Sequence, residues 1–416
     1  MSMFQDGHEL ELLRGGTEYF PALVGAIDAA VREVWMETYI FENDAAGAMV
    51  AGALARAAAR GVQTRLVTDG FGTGELAAPI RRMLESAGVA HATFSPVKGI
   101  LSMTGRKLRR LHRKLAMVDG HTAFCGGINI LDDYWDPNHG ALDKPRFDFA
   151  VRIRGPIVRQ VRDAMERMWL RVDAFALMRD QQFQAALDRV RGAKERLQAW
   201  ARDEWRRAAL GTPWEQPTRP ADDLRQLRAA LLLRDNVRNR RRIESAYISA
   251  IRAARREIFI ANAYFLPGRR LRRALLAAVQ RGVRVTLLLQ GRYEYFLQFH
   301  ATRAIHGFLL ASGITVYEYR ASFLHAKVAV IDGRWSTVGS SNLDPLSLLL
   351  AHEANVVVDS ARFASELRAA LVQAQDEGAE RLDPERYARR GLAARLLDWI
   401  AYGLFRLGVA VTGRRY

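Results

Sequence analysis

Two ten-residue stretches of this 416-residue chain are nearly the same: LHRKLAMVDG at 111–120 and LHAKVAVIDG at 324–333. Each holds a histidine, a lysine and an aspartate: His112, Lys114 and Asp119, then His325, Lys327 and Asp332. Imidazole is a nucleophile and a proton carrier near neutral pH. Lysine is a positive charge suited to phosphate oxygens. Two histidines flanking one phosphorus can divide the work. One attacks to form a phosphohistidine, while the other protonates the leaving alcohol and later deprotonates the incoming one. The two lysines would neutralise charge on the phosphoryl oxygens in the transition state. Each aspartate is a candidate to orient a histidine and favour its imidazolium form.

The pattern runs on past the aspartates. Gly126 and Gly339 lie seven residues beyond them, and Asn129 and Asn342 lie seventeen beyond the histidines. The asparagine amides can donate to a phosphate, and the glycines allow close backbone approach. Ser340 of the second copy is replaced by Gly127 in the first, so the two half-sites are not chemically identical. Each copy also has a later acid, Asp148 in RFDFAVRIRGP and Glu353 in AHEANVVV. These two stand beside Asp119 and Asp332 as candidates for the carboxylate that holds a histidine. Lysine is a poor metal ligand and no paired-cysteine or His-x3-His spacing is present, so neither metal nor other cofactor is expected.

The elements that carry these residues are also repeated. AIDAAVREVWMETYIF (26–41) echoes AIRAARREIFIANAYF (250–265), and RAAARGVQTRLVTDG (56–70) echoes LAAVQRGVRVTLLLQG (276–291). LESAGVAHATF (84–94) echoes LASGITVYEY (310–319) in the same order. Each echo reads as a helix running into a buried strand. Helix alternating with strand implies an α/β layer structure. The expected fold is therefore two duplicated α/β domains, a mixed sheet flanked by helices in each, facing one another about a pseudo-two-fold axis. The boundaries expected are 1–170 for the first domain, 171–234 for a helical connector, 235–375 for the second domain and 376–416 for a C-terminal tail. His-x-Lys places both side chains on one face of a strand.

The net charge is +17 and the pI near 10.5, so an acidic partner is expected: nucleic acid, an anionic membrane or an anionic substrate. The single cysteine, Cys125, excludes an intramolecular disulfide and reads as a core residue. The N-terminus does not have the pattern of a secretory signal, and no long uncharged apolar stretch appears. In the tail, GLAARLLDWIAYGLFRLGVAVTGRRY (391–416) places Arg395, Asp398, Tyr402 and Arg406 on one helical face. Leu392, Leu396, Trp399, Ile400, Leu404, Leu407 and Val411 take the other, as in a helix lying in a membrane interface.

The duplicated pattern His-x-Lys-x4-Asp-x6-Gly-[Gly/Ser]-x-Asn resembles that of the phospholipase D superfamily. The segments ETYIF, LVTDGFG, NAYFLPG, LLLQGRYEY and VGSSNLDPLSLLLAHEANVVV are similar to bacterial cardiolipin synthases of the short type without N-terminal transmembrane helices. The resemblance covers nearly the whole chain. It implies transfer of a phosphatidyl group from one phosphatidylglycerol to another, with phosphatidylethanolamine as a further donor. It also implies a peripheral enzyme on the cytoplasmic side of a bacterial membrane, and catalytic roles for His112, Lys114, Asp119, His325, Lys327 and Asp332. His112 is favoured as nucleophile by the resemblance alone. The rivals are a phospholipase D hydrolase and a phosphodiesterase or nuclease of the same superfamily. No nucleic-acid partner is expected, because stacking aromatics along a strand-binding groove are not evident. The longer segment between Asn129 and Asp148 is expected to form a loop beside the cleft, with His139 as a solvated loop residue.

Overall fold

A computed structural model of the chain describes residues 4–96, 109–179, 227–235, 239–344 and 351–411. Within the first half, three parallel strands, Glu33–Thr38, Gln63–Asp69 and Ala90–Phe94, are crossed over by helices Ala45–Ala59 and Ala78–Ser86. The strand Glu33–Thr38 then pairs antiparallel with Lys114–Val118. The sheet continues through Thr122–Gly126 and Phe149–Arg154 to Gln5–Arg14. The second half repeats this order. Its strands are Glu257–Asn262, Arg284–Gln290 and Thr315–Tyr319, then Lys327–Ile331, Trp335–Gly339, Ala351–Asp359 and Leu227–Arg234.

Gln5–Arg14 and Leu227–Arg234 pair antiparallel and join the halves into one 16-stranded sheet. Strand order reads outward from this pair in the same sequence on both sides, so the pseudo-two-fold passes through it. A short strand, Ala379–Arg381, extends the outer edge of the second half.

The inner parallel strands Glu33–Thr38 and Glu257–Asn262 are buried on both faces, whereas the outer strand Ala90–Phe94 is only partly buried. The helix Ala45–Ala59 starts where the Asp44 carboxylate accepts from the Gly47 N–H, an N-cap that satisfies one of the free donors of its first turn. One hydrophobic cluster runs through both halves. Leu115, Met117, Cys125 and Val151 pack in it with Val328, Val330, Val338 and Val356. Cys125 is buried there, and burial pushes its thiol up to about 12.

The observed segments cut differently from the expected domains. The helix Ile157–Arg179 passes the boundary at 170, and 180–226 lie outside the described residues. Leu227–Arg234, expected in the connector, is a central strand because its LRAALLLR run is buried between Gln5–Arg14 and Ala351–Asp359.

Candidate active site

The two halves meet where their reactive residues lie. Leu111 and His352 pair across the halves, and the His112 N–H donates to the His352 carbonyl at 3.0 Å. The symmetric contact is made by Phe147 and Leu324, with the His325 N–H donating to the Phe147 carbonyl at 2.9 Å. Each histidine is therefore sewn by its backbone to the residue just before the other half's acid.

The side chains complete that exchange. His112 Nδ1 lies 3.1 Å from Glu353 Oε1, and His325 Nδ1 lies 2.6 Å from Asp148 Oδ2. Both carboxylates are buried, so each ring is fixed by a partner from the opposite half. A proton held on Nδ1 leaves Nε2 as the nitrogen free for chemistry. Lys114 and Lys327 are buried behind the histidines and donate to the carbonyls of His112 and His325. Tyr39 covers one side, its ring 4.7 Å from that of His112 and 5.1 Å from Lys114 Nζ.

All these groups act on one another's charge. Burial pulls Lys114 down to about 7, aided by Lys327, and pulls Lys327 down to about 8. Burial lowers His112, with Lys114 and Lys327 adding repulsion that its Glu353 partner opposes. Burial lowers His325 further, with both lysines and Arg146 in the same direction. The two acids differ. Burial pushes Asp148 up to about 7 despite Lys327 nearby. Burial would raise Glu353 as well, but His112, Lys114 and the hydroxyl of Ser340 together hold it below the ordinary carboxylate value.

Ser340 accounts for part of that difference. Its hydroxyl donates to Glu353 Oε2, so it acts on the carboxylate. Gly127 occupies the matching place, and a Cβ there would stand 2.3 Å from Asp148 Oδ1. The first copy has no room for a serine while Asp148 holds His325.

Several expected roles are corrected. Asp119 and Asp332 lie away from the histidines, because the strands Lys114–Val118 and Lys327–Ile331 separate them by about 17 Å at the usual rise per residue. The Asp119 carboxylate accepts from the N–H groups of Val31, Arg32 and Glu33. That of Asp332 accepts from Arg255, Arg256 and Glu257. Both aspartates have positive φ, 51° and 53°, at the turn that follows the strand. They tie a hairpin to the start of the neighbouring parallel strand, and Asp148 and Glu353 hold the histidines instead.

Gly126 and Gly339 serve strand packing. A Cβ on Gly126 would stand 2.5 Å from Ala150 Cα, and one on Gly339 would stand 2.3 Å from the Asn355 side chain. They bring each hairpin against the strand that carries an acid. Asn129 Oδ1 accepts from the Ile40 N–H at 3.2 Å, next to Tyr39. Asn342 is buried and its Oδ1 has no protein partner. His139 is partly exposed and bonds Asp136 at 2.9 Å, in a loop that reaches the second half through Ser322, whose hydroxyl donates to the Lys144 carbonyl.

Sequence reasoning did not single out Tyr39, Tyr264, Glu294 or Arg146. In the aligned repeat Tyr39 falls on Ala263 and Tyr264 on Ile40, so the duplication carries no signal for them as a pair. Tyr264 donates to Glu294 Oε2 at 2.6 Å, and Glu294 acts on the charge of Lys327.

Comparison with known proteins agrees with this architecture. A family model described as cardiolipin synthase, PLD-like domain, matches residues 23–169 and 247–374. The chain is 35% identical over 365 residues to cardiolipin synthase B of Escherichia coli K12, covering 88% of this chain and 80% of that protein. It is 29% identical over 395 residues to a probable cardiolipin synthase of Bacillus subtilis, covering 94% and 71%. Phosphatidylserine synthase of Haemophilus influenzae shares the fold, with a TM-score of 0.64, 13% identity and coverage of 97% and 96%. Polyphosphate kinase of Porphyromonas gingivalis does so at a TM-score of 0.52 and 13% identity, over 97% of this chain and 53% of that one. With the family model matched once in each half and a curated relative aligned along most of its length, the chain belongs to the phospholipase D-like cardiolipin synthase family.

Proposed function

We propose that the protein makes cardiolipin by transferring a phosphatidyl group between two phosphatidylglycerol molecules through a phosphohistidine. The observation that carries this reading is the crossed pairing of His112 with Glu353 and His325 with Asp148 around two buried lysines. Such a site offers two imidazoles to one phosphorus, each pre-aimed by a carboxylate.

The asymmetry of the acids supports a division of roles. Glu353 is held ionised, and His112 is held neutral by burial and by both lysines. A neutral imidazole with an ionised partner on Nδ1 is a nucleophile at Nε2. Asp148 and His325 together keep one proton up to about neutral pH, since Asp148 rises to about 7. That proton suits the leaving alcohol.

In the first step His112 Nε2 bonds to phosphorus and the bond from phosphorus to the glycerol oxygen breaks. The His325–Asp148 pair gives its proton to that oxygen, and glycerol leaves. The terminal hydroxyl of a second phosphatidylglycerol then attacks, its proton passes to His325, and the phosphorus–nitrogen bond breaks. Lys114 and Lys327 stabilise the charge on the phosphoryl oxygens throughout. Proton transfer of this kind contributes about 10²–10⁴-fold to rate.

Incubation of the purified protein with phosphatidylglycerol vesicles tests the proposal. Equal amounts of glycerol and cardiolipin are expected. Phosphatidic acid as the only lipid product would assign a hydrolase, and cleavage of DNA alone would assign a nuclease.

A further inference from the structure

We infer that the outer face of the C-terminal helix, together with the aromatic loop beside the His325 half-site, forms a docking surface for an anionic lipid bilayer. The inference goes beyond the catalytic reading, because it rests on the exposed surface and not on the two histidines.

The helix Leu392–Val411 is turned the wrong way round for a helix in water. Its inward stripe is Asp398, Ala401 and Phe405, all buried at helical spacing. Its outward face carries Leu392, Leu396, Trp399, Ile400, Leu404 and Leu407, each at least half exposed, with Leu392 at 80% and Trp399 at 56%. A surface helix ordinarily buries its apolar stripe and shows its charges. Here the one acid is the buried residue. Asp398 bonds His300 at 2.7 Å and Arg390 at 2.6 Å, which locks the helix with its leucines outward.

The same histidine links the helix to the site. His300 packs against Phe296 with tilted rings whose centroids are 4.7 Å apart, and Tyr293 packs on Phe299 at 5.4 Å. Tyr293, Tyr295 and Phe296 are all exposed. Between them Glu294 turns inward to Tyr264 and acts on Lys327. The exposed aromatic loop thus lies beside the catalytic cleft, and His300 ties it to the inward side of the helix.

Charge selects the occupant. Asp398 is the only acid of the helix, while Arg395 and Arg406 are exposed along it. A second copy of the chain would set arginine against arginine and +17 against +17. Anionic headgroups would meet the arginines, and acyl chains would take the leucines and Trp399. Among the described residues no helix is long and apolar enough to cross a membrane, so this helix lies along the surface.

The test is flotation of the full chain with vesicles, comparing wild type with the double variant Leu396→Glu, Trp399→Glu. Wild type is expected to float with phosphatidylglycerol vesicles, less so at high salt and least with phosphatidylcholine alone. The variant is expected to bind at least tenfold more weakly with an unchanged circular dichroism spectrum. Wild type that ignores vesicles, equal binding by both proteins, or a dimer that the variant dissolves would each overturn the inference. The first would mean that a segment of the chain itself covers the face, and the last that a second copy does. Turnover of monomeric short-chain phosphatidylglycerol separates this result from the catalytic reading. Loss of flotation without turnover by either protein leaves the docking surface standing and removes the proposed activity. Equal turnover of vesicle lipid by both proteins does the reverse.

Discussion

A single hydroxymethyl group decides how the two half-sites differ. Ser340 hydrogen-bonds Glu353, whereas Gly127 leaves the same volume to Asp148. Gly127→Ser, which copies the other half, is therefore expected to displace Asp148 and loosen His325. Misplacement on this scale costs about 10²-fold in rate, read as kcat/KM with thermal stability little changed. Ser340→Ala leaves the geometry but removes one bond to an ionised acid, worth about 1.5–3 kcal/mol. It is expected to lower kcat/KM about tenfold and to raise the pH at which activity appears, because Glu353 would ionise later. The alkaline limb follows from other groups. As pH rises through about 7 to 8, the His325–Asp148 pair loses its proton and Lys114 and Lys327 lose charge. Since kcat/KM reports the free enzyme, it should fall across that interval in a pH–rate profile. Asp119 belongs to stability. Asp119→Asn weakens a carboxylate that accepts three backbone N–H bonds, at a cost of about 1.5–3 kcal/mol in urea unfolding. Activity per folded molecule should stay within about twofold. Its carboxyl is held below the ordinary value by these bonds although burial opposes them. This stabilisation is complete above the unfolded pKa of about 4 and fades as pH falls through the folded one.

At the scale of elements, the duplication was legible because each helix and strand is written twice in the same order. The helix-to-strand echoes, the hairpin ending in Asp-Gly and the two unlike faces of the C-terminal helix can all be read from residue types and spacing. The crossed pairing was not legible. Spacing places His112 relative to Lys114 and Asp119 within one segment, and it carries no information about which strand of the other half lies alongside. Asp119 therefore stands beside Asp148 and Glu353 as a candidate partner of His112 in the sequence, although the strand between them directs it to the far end. Gly126 misled for a related reason, since the close neighbour that excludes a side chain is Ala150 on another strand. Double-mutant cycles test the crossing directly. His112→Ala and Glu353→Gln should be strongly non-additive in kcat/KM, and so should His325→Ala and Asp148→Asn. His112→Ala with Asp119→Asn should be additive in stability, because the two residues share no contact.

For the whole molecule, the consequence is that two copies of a motif make one site and not two. The sheet runs unbroken through Gln5–Arg14 and Leu227–Arg234, and the core cluster draws on both halves, so neither half can present its histidine without the other. Each chain should accordingly form one phosphohistidine. A phosphatidyl donor with a p-nitrophenol leaving group isolates this, because nitrophenolate departs without protonation. Wild type should release a rapid burst of one nitrophenol per chain when transfer to the acceptor is slow. His325→Ala lacks the proton donor but keeps the nucleophile, so its burst should persist at one per chain and then stop, with the phosphatidyl group trapped on His112. His112→Ala should give no burst at all. Two nitrophenols per chain, or a half-sized burst from each single variant, would mean that the halves work independently. A burst lost in His325→Ala and kept in His112→Ala would exchange the two roles while leaving the shared site intact.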